Sequence, residues 1–204
     1  MYLFSIECTI PQTAIAIMKD KKIAAKKSWN SFDTCKEILP AIDNLLEKTR
    51  MSLEKIDFFV VSSGPGSWTG IRLGFALAYG LAVADAGRVY GVSSIDAMAY
   101  RFVGKSDIAV FLPSVGRSLH YGFFKKPENL SKKNGLISTC TTEEIFVKLK
   151  DATIIAGPDK KILSLFKSSG KIVVNISPDP VLNAMLALER IKNSVSSAGP
   201  YYEK

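Results

Sequence analysis

Residues 2–8 and 13–19 are short apolar stretches, and 22–29 follows after Asp20 and Lys21, which can form a polar hairpin turn, so three antiparallel strands are predicted. Asp33 can cap a helix, Glu37 is placed to help its first turn, and Ile38, Leu39, Ile42, Leu45 and Leu46 recur at helical spacing to about residue 48. After a loop over 51–55, residues 58–61 run continuously apolar into Ser-Ser-Gly-Pro-Gly, the pattern of a buried parallel strand feeding a glycine loop. A helix over 69 to about 85, a strand over 89–92 and a helix over 93–102, started by Ser93 or Ser94, complete a βββαβαβα order. That order describes a mixed sheet flanked by helices. Beyond Gly104 the pattern partly recurs, with strands over 108–112, 120–124, 153–156 and 172–174 and helices over 142–149, 159–166 and 180–192. No residue-level repeat is visible, and the polar loop 125–133 is expected to be exposed.

With 204 residues, 47% of them hydrophobic and 23% charged, the chain has the composition of a globular protein with a substantial core. The longest apolar run, between Arg72 and Asp85, is shorter than the about 20 residues that a bilayer span needs. Glu7 interrupts the first apolar residues and no basic segment precedes them, so export is not expected and a cytoplasmic setting is. Cys8, Cys35 and Cys140 are widely spaced, which suggests reduced thiols and neither a zinc knuckle nor a redox pair. The net charge of +8 is uneven: residues 1–100 carry 11 Lys and Arg against 10 Asp and Glu, and residues 101–204 carry 16 against 9. This excess fits either contact with nucleic acid or a solvated lysine-rich surface, and no aromatics are interleaved with the lysines to stack on bases.

The most informative string is Ser62-Ser63-Gly64-Pro65-Gly66-Ser67-Trp68-Thr69-Gly70-Ile71-Arg72. Glycines let the backbone turn at positive φ, and a strand-to-helix junction exposes N–H groups where an anion could sit. The string lacks the Lys-Ser/Thr pair of a P-loop and the glycine spacing of the dinucleotide fingerprint. A structural turn and a phosphate cradle are both open readings, and Gly64, Gly66, Ser67 and Thr69 are the loop's candidate phosphate contacts. Past the loop, Gly66, Gly70, Gly74, Ala78 and Ala82 fall four apart and form a ridge of small residues that a second backbone can approach closely. Ile71, Leu73, Phe75, Leu77 and Leu81 make the rest of that helix apolar too, so it must be covered on more than one side. Serines are plentiful, but none stands in a nucleophile elbow, and the lone histidine, His120, sits in an alternating strand where a structural role is expected.

The loop resembles the GPGSFTGxRxG signature of the TsaB (YeaZ) family, with Trp68 where phenylalanine is usual. The likeness continues in register from about Ile38 to Ala99, through the Leu39-Pro40 helix and the Gly91-Val92-Ser93-Ser94 turn. It implies an actin-like (ASKHA, RNase H-like) α/β fold of two subdomains, each a mixed sheet flanked by helices, placed at 1–103 and at a smaller, basic, divergent 104–204. It also implies a non-catalytic scaffold in making threonylcarbamoyladenosine at adenosine 37 of ANN-decoding tRNAs. The implied partners are a TsaD-like catalytic subunit and a TsaE-like ATPase, with a homodimer in isolation, tRNA reached only indirectly and no membrane. The implied contact surface lies on the first two helices, at Leu39, Ile42, Leu46, Gly70, Gly74, Leu77, Ala78 and Leu81.

A nucleotide site of the actin type needs an Asp at the end of the first strand and a small-residue hairpin, and family members usually carry Asp-Thr where this chain has Glu7-Cys8. Here Glu7 is longer, no glycine follows, and Pro11 removes an N–H donor. Glu7 and Thr9 remain candidates for weak phosphate or metal contact, and a carboxylate that ends a first strand, as Glu7 does, more often pairs locally. No catalytic residue, metal or resident cofactor is expected, apart from a nucleotide held at a partner interface. A stand-alone actin-like ATPase or kinase and a tRNA-binding module are the alternatives.

Overall fold

The computed structural model describes residues 1–30, 33–83, 88–114, 116–127, 130–131 and 135–200. Strands β1 (Tyr2–Glu7), β2 (Gln12–Lys19) and β3 (Lys22–Asn30) form an antiparallel meander, after which α1 (Thr34–Thr49) leads to β4 (Phe58–Ser62) and α2 (Trp68–Val83) leads to β5 (Arg88–Val92). β4 runs parallel beside β1 and β5 parallel beside β4, giving the order β3-β2-β1-β4-β5. After α3 (Ser94–Tyr100) the same scheme is built again. β6 (Ile108–Pro113), β7 (Ser118–Phe124) and β8 (Ser138–Thr141) are antiparallel, and α4 (Ile145–Lys148) and α5 (Lys160–Ser164) precede the parallel strands β9 (Ile154–Gly157) and β10 (Ile172–Asn175). The second order, β10-β9-β6-β7-β8, reproduces the first. The chain's last described helix, α6 (Pro180–Lys192), then returns to the first sheet.

Alternation along the strands decides how the layers stack. In β1 and β4, Phe4, Ile6, Phe59 and Val61 point to one face, where they meet Ile38, Ala41, Ile42 and Leu45 of α1 and Ile71, Phe75 and Ala78 of α2. Leu3, Phe58 and Val60 point to the other face, into a core shared with α3, α6 and Ile108, Val110 and Leu112 of β6. Ala109 and Phe111 face the far side of the second sheet, against Ile145, Ile162, Leu163 and Phe166. Because both central strands bury both faces, a one-residue slip would exchange their partners, so the register is strongly specified. The result is five layers: α1 and α2, the first sheet, α3 and α6, the second sheet, α4 and α5.

The expected strand and helix order is found, with three differences. β8 was not expected: Ser138, Thr139, Cys140 and Thr141 are a polar edge strand that buries only Cys140. The helix expected over 142–149 is shortened to α4 and preceded by a turn over 142–144, at which Thr141 N–H donates to Glu144 Oε2 at 3.0 Å and Glu144 N–H donates to Thr141 Oγ1 at 3.3 Å. The loop 125–133 is not wholly exposed, since Pro127 and Leu130 are buried; its residues 128, 129, 132 and 133 lie outside the described residues, as do residues 84–85 of the expected second helix. The proposed division between residues 103 and 104 falls between α3 and β6.

Candidate functional site

The carboxyl ends of the parallel strands of both sheets face a cleft of about 920 Å³. In open α/β sheets ligands bind at such ends. One wall is the β1–β2 turn from Thr9 to Gln12 with the glycine loop from Pro65 to Trp68, and the other is the ends of β6 and β9 with His120, Pro158 and Asp159.

The glycine loop is filled by the chain's own first turn. Ser67 N–H donates to the Thr9 carbonyl at 2.7 Å, Ser94 N–H donates to the Gly64 carbonyl at 2.8 Å, and Gly70 N–H donates to Ser67 Oγ at 3.2 Å. A Cβ on Gly66 would stand 2.4 Å from the Thr9 carbonyl oxygen, and one on Gly70 would stand 1.8 Å from that of Cys8. Gly64 has φ +94°, which favours glycine. Of the candidate phosphate contacts, Gly64 and Gly66 serve the backbone, Ser67 spends its N–H and hydroxyl within the chain, and Thr69 is exposed. Of the two open readings, the geometry matches the structural turn: the loop seats a hairpin turn.

Glu7 and Thr9 are also turned to structural use. Glu7 is completely buried; Oε1 accepts from Thr9 N–H at 2.8 Å and from the Thr9 hydroxyl, and Oε2 accepts from Asn183 Nδ2 of α6 at 3.0 Å. Ser62 and Ser94 hydroxyls, 2.6 Å apart, lie beside them. This polar knot ties β1, β4, α3 and α6 together, and Glu7, enclosed in it, does not line the cleft. Burial pushes the Glu7 carboxyl above its ordinary value of 4.5, against the hydrogen bonds, which lower it. The folded state therefore holds the proton more tightly than the unfolded chain, so stability falls as pH rises above about 4.5 towards the raised value. Glu7→Gln should remove that fall. In urea titrations between pH 4 and 8 the variant's stability relative to the parent should rise with pH; a difference that is flat across the range would contradict the burial of a titrating Glu7.

The cleft does not suit a nucleoside triphosphate. Among the described residues that line it there is no Lys or Arg, Asp159 brings a negative charge, and Pro11, Pro65, Pro113 and Pro158 offer no N–H. Triphosphate sites depend on cations and convergent backbone donors. His120, opposite Leu112 in the β6–β7 ladder, is buried at the cleft's edge.

The family model described as TsaD, tRNA N6-adenosine threonylcarbamoyltransferase, matches residues 33–189, more than half of the chain. The relative "tRNA threonylcarbamoyladenosine biosynthesis protein TsaB" of Buchnera aphidicola (subsp. Schizaphis graminum) is 25% identical over 76% of this chain and 77% of its own. The Escherichia coli protein of the same name is 25% identical over 63% of this chain and 57% of its own. The chain belongs to the TsaB (YeaZ) family. Its fold agrees: "YeaZ from Pseudomonas aeruginosa" superposes with a TM-score of 0.74 at 17% identity, covering 99% of each chain. A structure of the actin-like fold, the activator of 2-hydroxyisocaproyl-CoA dehydratase from Clostridium difficile, superposes with a TM-score of 0.55 at 13% identity over 95% of this chain and 97% of its own.

In this TsaB-family chain the small-residue ridge of α2 faces inward. Gly70 lies on the Cys8 carbonyl, a Cβ on Gly74 would stand 2.9 Å from Val61 Cγ2, and Ala78 is 0% exposed. Ile42 of α1 is buried as well. Gly70, Gly74, Ala78 and Ile42 thus do not form an outward contact surface; the small side chains let α2 sit close on β1 and β4. The outward face is made by other residues, Leu39 at 50%, Tyr79 at 57% and Val83 at 83% exposure, with Leu46, Leu77 and Leu81 half-buried beside them. Tyr79 and Val83 were not singled out from sequence, although their helical offset from the ridge marks them as its opposite face.

Proposed function

We propose that this chain acts in forming threonylcarbamoyladenosine on tRNA as a non-catalytic scaffold, holding a TsaD-like catalytic subunit while a TsaE-like ATPase serves the same system. The observation that carries the proposal is the set of apolar side chains exposed on the outer sides of α1 and α2. Leu39, Tyr79 and Val83 are exposed on helices whose opposite faces are fully packed, so the surface is formed and rigid before any partner arrives. The same face pairs two copies of the chain when the catalytic subunit is absent. The non-catalytic role is supported by the first turn, where Glu7 and Thr9 are bonded to each other and to α6, and by a cleft without lining cations among the described residues.

The test is association. Tyr79→Asp combined with Leu39→Asp places charge on the proposed contact at two exposed positions, of which Tyr79 meets the Phe75 ring of the core, and should weaken binding of the TsaD-like subunit about tenfold or more. Far-UV circular dichroism should be unchanged. Parental affinity in a pull-down, with parental sizing behaviour, would reject this face as the interface.

A further inference from the structure

The cleft lies at one end of the second sheet, and the register of the ladders identifies what lies at the other. Ile108 is opposite both Phe124 and Ile154, and Ile154 is opposite Ile172, so the segments before β6, β9 and β10 and the segment after β7 share one end. Those segments carry Lys105, Lys125, Lys126, Lys150 and Lys171. Lys105 and Lys126, with Ser106 and the exposed Ile172, border a hollow of about 490 Å³. Lys105, Lys125, Lys126 and Lys150 are exposed, and none is ion-paired with an acid among the described residues. Lys171 is spent on the carbonyls of Lys150 and Ala152, which fastens the segment bearing Lys150. Two carboxylates share this end; Asp107 accepts the Lys126 N–H at 2.9 Å, and Asp151 is exposed.

We propose that this lysine-bordered end of the second sheet is a contact surface for an RNA phosphate backbone, and so that the chain touches tRNA directly. The proposal rests on the tRNA-modification reading above and adds a contact which that reading does not require. Charge complementarity argues for it: residues 101–204 carry 16 Lys and Arg against 9 Asp and Glu, and the fold gathers five of those lysines, from 105 to 171 in the sequence, at one end of the sheet, with Lys105 and Lys126 bordering the hollow. Without stacking aromatics at this end, recognition would be of the backbone and not of bases. The end is opposite the cleft, and α1 and α2 lie beyond the first sheet, so RNA and a catalytic partner can be held together.

The experiment measures fluorescence anisotropy of a labelled tRNA transcript with an ANN anticodon, titrated with the full-length chain alone and with its TsaD-like partner, from about 50 to 200 mM salt. The Lys105→Ala/Lys126→Ala variant should bind at least about tenfold more weakly, with a slope of log K against log salt shallower by about 2. Lys160→Ala/Lys161→Ala, which removes equal charge at the start of α5 beside the cleft, should bind as the parent does. Equal weakening by both variants would mean that net charge alone attracts RNA, and would overturn the proposal. So would absence of tRNA binding in either form, or retention on phosphatidylserine vesicles without RNA binding. Capture of the TsaD-like subunit by the Lys105/Lys126 variant is followed separately, so loss of the RNA contact and failure of the scaffold reading give different results.

Discussion

Gly70→Ala is expected to destabilise the protein by about 3 kcal/mol or more, the upper range for forcing volume into a packed site. In an exposed helix interior the same change would stabilise by up to about 1 kcal/mol. The sign reverses here because the new methyl would overlap the backbone carbonyl of Cys8, 1.8 Å away, and a main-chain carbonyl cannot swing aside as a side chain does. Two other glycines of α2 calibrate the result. Gly74→Ala meets only a methyl of Val61 at 2.9 Å, which can give, and should cost about 1 kcal/mol. Gly80→Ala meets nothing within 4 Å and should gain about 0.5–1 kcal/mol. Urea unfolding of the three variants tests the set. If Gly70→Ala is as stable as the parent, α2 does not rest on the first turn as described.

This series shows where sequence reading runs out. A stripe of small residues four apart says that something approaches the helix closely, and that was legible. It does not say whether the approaching backbone is a strand of the same chain or a helix of another, because both need the same missing side chains. The interface residues Gly70, Gly74 and Ala78 were assigned outward for that reason. The strand and helix order was legible because β1, β2, β4 and β6 carry long apolar runs and α1 carries a clean amphipathic pattern. β8 was not, since four residues with one buried side chain leave almost no periodicity. Missing β8 also hid the repetition of the sheet order, which resides in hydrogen bonding and direction and needs no shared residues. Of the candidate site, the weakness of the first turn as a phosphate site could be read from Glu7 and Pro11. The partner of Glu7, Asn183, could not, being 176 residues away.

A separation of 94 residues likewise concealed Asp96 and Arg190, whose removal should have the largest effect on stability. Both side chains are 0% exposed; Arg190 Nη2 donates to Asp96 Oδ2 at 2.7 Å, and its Nε donates to the Leu130 carbonyl at 2.9 Å. Asp96 accepts in turn from Gly135 N–H, at 3.1 Å and 3.3 Å. The pair therefore joins α3 to α6 in the layer between the two sheets, and also holds Leu130 and Gly135. Replacing such a pair by apolar groups can be nearly neutral, but removing one member leaves the other desolvated and uncompensated, at about 3–5 kcal/mol. Asp96→Ala should cost that much, and Arg190→Met nearly as much. Asp96→Ala/Arg190→Met should cost less than the sum of the singles, because no lone charge is left inside. A double-mutant cycle by urea unfolding measures this, and the coupling should be about 2–3 kcal/mol. Amide exchange at Gly135 should quicken in Asp96→Ala before global unfolding, since its N–H loses its acceptor. An Asp96→Ala cost below about 1 kcal/mol, typical of a solvated surface pair, would mean that water reaches this site and that the layer between the sheets is not closed.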